Sequence, residues 1–107
     1  MTIQILHYEF LGPIQLQEWG PPMEEVVYVL LSREKDNFTI IYVDQSEKTD
    51  KTDFFLKNNK FKCWLTHAGS EQNLYLAIHP MWKSEKAERE RVVYKVASKY
   101  NPVCNKD

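Results

Sequence analysis

Apolar and polar positions alternate from Thr2 to Phe10, with Ile3, Ile5 and His7 on one side and Gln4, Leu6, Tyr8 and Phe10 on the other. That period of two predicts a strand, ended by Gly12-Pro13. Residues 13–25 read as a connection, in which Glu18-Trp19-Gly20-Pro21-Pro22 forms a rigid turn because two prolines fix φ. Val26–Ser32 and Phe38–Val43 are rich in β-branched residues and flank the polar Arg33–Asn37, so they predict an antiparallel hairpin. Beyond the polar run Glu47–Asp53, Phe54-Phe55-Leu56 predicts a short helix stopped by Asn58-Asn59. Phe61–Leu65 fits a strand or a helix, whereas Leu74–Ile78, closed by His79-Pro80, predicts the third strand of the sheet. Ser84 is the expected cap of a last helix with Glu85 and Glu88 in its first turn. Its apolar stripe is Val93, Val96, Ala97 and Tyr100, and Asn101-Pro102 ends it.

The 107 residues, 43% of them hydrophobic, fit one domain with one core, burying roughly 65% of its unfolded surface. The longest apolar run, Val26–Leu31, falls far short of the ~20 residues of a membrane-spanning helix. Met1–His7 shows neither the basic nor the apolar region of a secretory signal, so a cytoplasmic location is the default expectation.

Charge changes the picture more than composition does. Residues 1–47 hold two Lys/Arg against eight Asp/Glu, a net of −6, and residues 48–107 hold twelve against seven, a net of +5. A basic face on the carboxyl-terminal half, suited to phosphate, is one reading; interleaved halves whose fields cancel are the other.

Cys63 and Cys104 match no C-x-x-C spacing and are read as reduced, half-buried thiols, with a structural disulfide as the less favoured alternative. His7, His67 and His79 show no i, i+4 pair and no acidic partner at ligand spacing, which disfavours a histidine metal site. A Cys63–His67 nucleophile pair requires that segment to be helical. With glycine only at positions 12, 20 and 69, neither a phosphate loop nor a dinucleotide fingerprint can be built. Trp19, Trp64 and Trp82 are possible base-stacking residues, but Trp64 reads as core and Trp19 as packing of its turn.

The order strand, strand, helix, strand, helix, with tyrosines at set places, resembles the GIY-YIG nuclease family. Val26-Val27-Tyr28 stands at the GIY strand, Tyr42-Val43-Asp44-Gln45-Ser46 at the YIG strand, and Tyr100-Asn101-Pro102-Val103-Cys104-Asn105 is similar to the family's close. Cys63–Gly69 with Asn73-Leu74-Tyr75 also looks like a branch of small stand-alone bacterial members. The resemblance implies an α/β (α+β) fold: an antiparallel three-stranded sheet flanked by helices over residues 26–105, with residues 1–25 adding an N-terminal strand and the Pro/Gly turn.

An active member hydrolyses phosphodiesters with a divalent cation, Mg²⁺ or Mn²⁺. A tyrosine helps deprotonate water, an arginine on the first helix steadies phosphate charge, and a glutamate on the last helix holds the metal. Tyr28 and Tyr42 match the two motif tyrosines. The arginine has no counterpart: its place falls on Thr52, and Lys48 or Lys51 could offer only a point charge in its stead. The glutamate's place falls on Val93, with Glu90 and Arg89 three and four residues earlier on the same helix face and Glu90 the substitute metal ligand. Asp44 replaces the motif glycine, adding a carboxylate where phosphate would approach.

The resemblance therefore implies a degenerate domain, without catalysis or resident cofactor, acting as a binding or interaction module. DNA or RNA is the candidate partner, with Lys48, Lys51 and Arg89 as its contacts. One alternative is a diverged metal-dependent endonuclease using Tyr28, Tyr42, a lysine from Lys48 or Lys51, and Glu90. Another is an interaction protein that self-associates through the Thr2–Phe10 strand at an exposed edge.

Overall fold

The computed structural model describes residues 2–18, 24–48, 55 and 57–106. The longest strands are those whose sequence is most β-branched. Strand β3 (Glu24–Glu34) and strand β4 (Asn37–Lys48) form the expected hairpin but run further, so that Arg33, Glu34 and Asn37 are already paired. The turn shrinks to Lys35-Asp36, with Lys35 at φ 58°. The register shifts between Leu30 and Leu31, opposite Tyr42 and Ile40, so Ile41 is the extra residue of a bulge.

Two strands, rather than one, come from the amino-terminal segment. Strand β1 (Thr2–Ile5) and strand β2 (Tyr8–Gln15) pair antiparallel, joined by Leu6-His7 with Leu6 at φ 60°. The chain runs on through Gly12-Pro13 instead of stopping there. Proline lacks a ladder donor, and the β2 register shifts between Leu11 and Ile14 to accommodate it. Gly12 sits at φ 116°, where a Cβ would meet the Leu76 carbonyl oxygen at 2.7 Å, so this crossing of strands requires glycine.

Strand β5 (Leu74–Pro80) lies between β2 and β3, antiparallel to both. The fold is thus α+β: a five-stranded antiparallel sheet of order β1-β2-β5-β3-β4 with two helices packed against it. The expected three-stranded sheet is its β5-β3-β4 part, and the added single strand is corrected to a hairpin.

Helix α1 (Phe61–Ala68) resolves the ambiguous segment: Trp64 is fully buried, with Phe61, Leu65 and Ala68 around it, and Gly69 at φ 86° closes the helix by donating to the Leu65 carbonyl at 2.9 Å. The short helix expected at Phe54–Leu56 lies outside the described residues except for Phe55, which is buried. Helix α2 (Lys86–Tyr100) is capped by Glu85, not Ser84: the Glu85 N–H donates to the Glu88 carboxylate at 3.0 Å. Asn101 at φ 53° ends it. Its buried positions are Arg89, Val92 and Val96, flanked by Val93 and Ala97, while Tyr100 is 42% exposed and leaves the stripe.

Alternation along β3 divides the interior in two. Val26, Tyr28 and Leu30 face α1 together with Tyr42, Leu74, Leu76 and Trp64, and Val27, Val29 and Leu31 face α2 together with Phe10, Val43, Ala77, Val92 and Val96. No helix among the described residues is long and apolar enough to cross a membrane.

Candidate functional site

Parity decides where each expected site residue lies. Tyr28 pairs with Asp44 across β3 and β4, and Tyr42 sits two residues from Asp44 on the same face, which brings all three together beneath α1. The Tyr28 and Tyr42 ring centroids are 6.3 Å apart, with Phe55 packed edge-on to Tyr28 and Trp64 tilted against Tyr42. The Tyr42 hydroxyl donates to Asp44 Oδ2 at 2.9 Å, and Asp44 Oδ1 accepts from the Gln45 N–H at 2.8 Å. Asp44 has ordinary strand backbone rather than the left-handed conformation open to the glycine it stands for.

Electrostatics keep both phenols protonated. Burial, then the Asp44 charge, then Tyr42 beside it, push the Tyr28 hydroxyl far above the usual tyrosine range, only partly opposed by Asn58. Burial, the Asp44 charge and the hydrogen bond to Asp44 do the same to Tyr42. A phenol held neutral this firmly is a poor base, and the Tyr42 proton is already given to the Asp44 carboxylate in a hydrogen bond. What the cluster can do is donate a hydrogen bond or line a pocket.

Arg89 is on the other side of the sheet, under the start of α2. It is 1% exposed, with Nε donating to Gln45 Oε1 at 3.0 Å and Nη1 donating to the Ser84 carbonyl at 2.8 Å and Ser84 Oγ at 3.0 Å. Carboxylate oxygens of Glu25 and Glu47 lie 3.9 and 4.0 Å away. The guanidinium thus serves as an internal tie between β4, the turn before α2 and α2 itself. Glu90, the next residue, points to solvent, and Lys48 is exposed at the end of β4. Lys51 and Trp19 lie outside the described residues. Trp64 is core, as its apolar segment predicts, and Trp82 is 70% exposed.

The basic residues of the carboxyl-terminal half divide between the two faces. Lys57, Lys60 and Lys62 surround the start of α1; Lys86, Arg91, Lys95 and Lys99 ride on α2.

The largest correction concerns sulfur. Cys63 on α1 and Cys104 in the turn Val103–Asn105 form a disulfide, with Cα atoms 5.9 Å apart. The segment is helical, as a Cys63–His67 pair required, but its sulfur is bonded and not a free nucleophile. Next to Cys104, Asn105 reaches β4: its Oδ1 accepts from the Val43 N–H at 2.8 Å and its Nδ2 donates to the Val43 carbonyl at 2.9 Å. Neither link was visible in the sequence, where the partners lie far apart.

Comparison with protein-family models, with curated proteins and with solved structures finds no match to this chain.

Proposed function

We propose that the chain is a GIY-YIG-like domain that does not cleave phosphodiesters and acts as an interaction module, with nucleic acid as its partner. The β3-β4-α1-β5-α2 order, with the tyrosine strand β3 lying between β5 and β4 and the closing Asn105 fastened to the second motif strand, supports the family reading. The observation that carries the non-catalytic reading is the separation of the groups. Tyr28 and Tyr42 are held neutral against Asp44 on one face, while Arg89 is buried behind the other with its donors already engaged. A carboxylate between the two phenols repels the phosphate that an active site would have to hold.

Nucleic acid is favoured by the exposed lysines around the start of α1, where Lys57 and Lys62 are open to solvent. The test is incubation of the full chain with single-stranded, duplex and branched DNA and RNA, with Mg²⁺ or Mn²⁺, alongside binding measured over a range of salt. No cutting is expected, and affinity should fall with salt by a log–log slope of roughly 0.7–0.9 per phosphate contact. Joint Lys57→Glu and Lys62→Glu substitution should flatten that slope. Metal-dependent cutting abolished by Tyr42→Phe would refute the reading.

A second reading is self-association through β1. That four-residue strand is one edge of the sheet and, among the described strands, pairs with β2 alone. It predicts a dimer whose stability does not change with salt and which is lost on Gln4→Pro.

A further inference from the structure

Helix α1 places Cys63 and His67 one turn apart on one face, and the chain's return after α2 brings Cys104 against the same face. One donor atom from each, two sulfurs and an imidazole nitrogen, lie within 4.8 Å of one another. We propose that, when the Cys63–Cys104 bond is reduced, these three side chains bind a thiophilic divalent cation of the Zn²⁺ class, so that the same sulfurs serve either a disulfide or a metal. This site is independent of the nucleic-acid reading.

Chemistry and geometry both favour that cation. Two thiolates and an imidazole are a soft, borderline donor set that selects Zn²⁺ over Mg²⁺ or Ca²⁺. Tetrahedral Zn–S bonds of ~2.3 Å and a Zn–N bond of ~2.0 Å put donor atoms roughly 3.5–3.8 Å apart. The present spread of 4.8 Å is therefore about 1 Å too wide on the histidine side, and the sulfurs, now bonded, must part. Both adjustments are small. His67 is exposed and free to change rotamer, and Cys63 sits half-buried at the rim, while Cys104 is fully buried and anchors the site from within. The solvent-facing side leaves a fourth coordination position for water.

Conversion between the two forms balances simply. A phosphine reductant cleaves the S–S bond, takes the oxygen of one water and leaves as its oxide; that water's two hydrogens complete the two thiols. Metal binding then displaces both thiol protons to solvent. In the reverse direction hydrogen peroxide accepts two electrons from the thiolates and, with two protons, becomes two waters as the disulfide closes and the cation departs. Either form ties α1 to the segment that holds Asn105 on β4.

The experiment is a titration of the full chain, reduced with a phosphine and then freed of it, using Co²⁺ as the optical reporter and Zn²⁺ as the competitor. One Co²⁺ per chain is expected, with thiolate-to-cobalt charge-transfer absorption that Zn²⁺ abolishes, and no uptake by the oxidised chain. His67→Gln alters an exposed side chain and leaves the fold intact. It should weaken Co²⁺ binding by at least the roughly 10–100-fold that loss of even an outer-shell partner costs. The proposal is overturned by a reduced chain that gives no charge transfer, by His67→Gln binding as the parent does, or by a Cys63→Ser/Cys104→Ser variant that takes up cobalt equally well.

Discussion

The side-chain amide of Asn105 does for Val43 what a neighbouring strand would do, giving a donor to its carbonyl at 2.9 Å and an acceptor to its N–H at 2.8 Å. Val43 is on β4, which has β3 on one side and, among the described residues, no strand on the other. An edge strand of this length invites pairing with another chain, and Asn105 blocks it near the middle. Asn105→Ala removes both bonds. We expect about 1–3 kcal/mol lost from the unfolding free energy, on the basis of ~0.5–1.5 kcal/mol per net hydrogen bond. Urea melts would measure it, and concentration-dependent light scattering would register the opened edge.

Arg89 provides a way to separate structure from binding. In Arg89→Lys a single ammonium replaces a fork that spans Gln45 Oε1 and both Ser84 oxygens. Stability should fall by roughly 1–3 kcal/mol in urea, with nucleic-acid affinity of the folded chain unchanged. An unaltered midpoint together with weakened binding would assign Arg89 to the ligand instead.

High pH should unfold the protein early. Tyr28 and Tyr42 both have folded pKa values raised above the unfolded value of about 10. Folding thus retains protons that the unfolded chain gives up. Their contribution is intact below pH ~10 and shrinks above it by about 1.4 kcal/mol per pH unit for each tyrosine, until the folded pKa is reached. The phenolate absorbance of Tyr28 and Tyr42 should accordingly appear only with the loss of structure. Tyr42→Phe should reduce the slope of stability against pH above 10; an unchanged slope would contradict the assignment.

The disulfide closes a loop between residues 41 apart in sequence. Chain-entropy reasoning assigns such a loop about 4 kcal/mol. Reduced protein, kept free of metal, should therefore melt markedly lower than oxidised protein in calorimetry. Coincident melts would mean that α1 holds its place through the packing of Phe61, Trp64, Leu65 and Ala68 without the disulfide.

Legibility in the sequence followed the physics of each segment. Strands β3, β4 and β5 were readable because β-branched runs bounded by polar turns have few other uses, and the end of α2 was readable from Asn101-Pro102. The β1–β2 turn was hidden because Leu6, an apolar residue at φ 60°, carries no turn signal. Helix α1 was within reach: extending Phe61, Trp64 and Leu65 to Ala68 and Gly69 completes an i, i+3, i+4, i+7 stripe with its terminator. Tyr28 and Tyr42 lie together because strand parity and the β3–β4 register put both on one face. Arg89 did not join them, since one buried arginine with polar partners 44 and five residues away looks, in sequence, like any other charge on a solvated helix. The Cys63–Cys104 link depends on how the tail returns after α2, which no local pattern encodes.

The position of β5 governs the order in which this chain can be completed. On a ribosome β1 and β2 emerge first, yet β2 has no pairing partner beyond β1 until residues 74–80 have been made. A lone two-stranded hairpin is barely stable in water, so Ile5 and Phe10, which pack with Val92 and Val96 of α2, must wait, exposed, until β3, β4, α1, β5 and α2 have been synthesised. β5 is the keystone: it fills the gap between an early hairpin and a later one, and its arrival converts two separate ribbons into a single sheet.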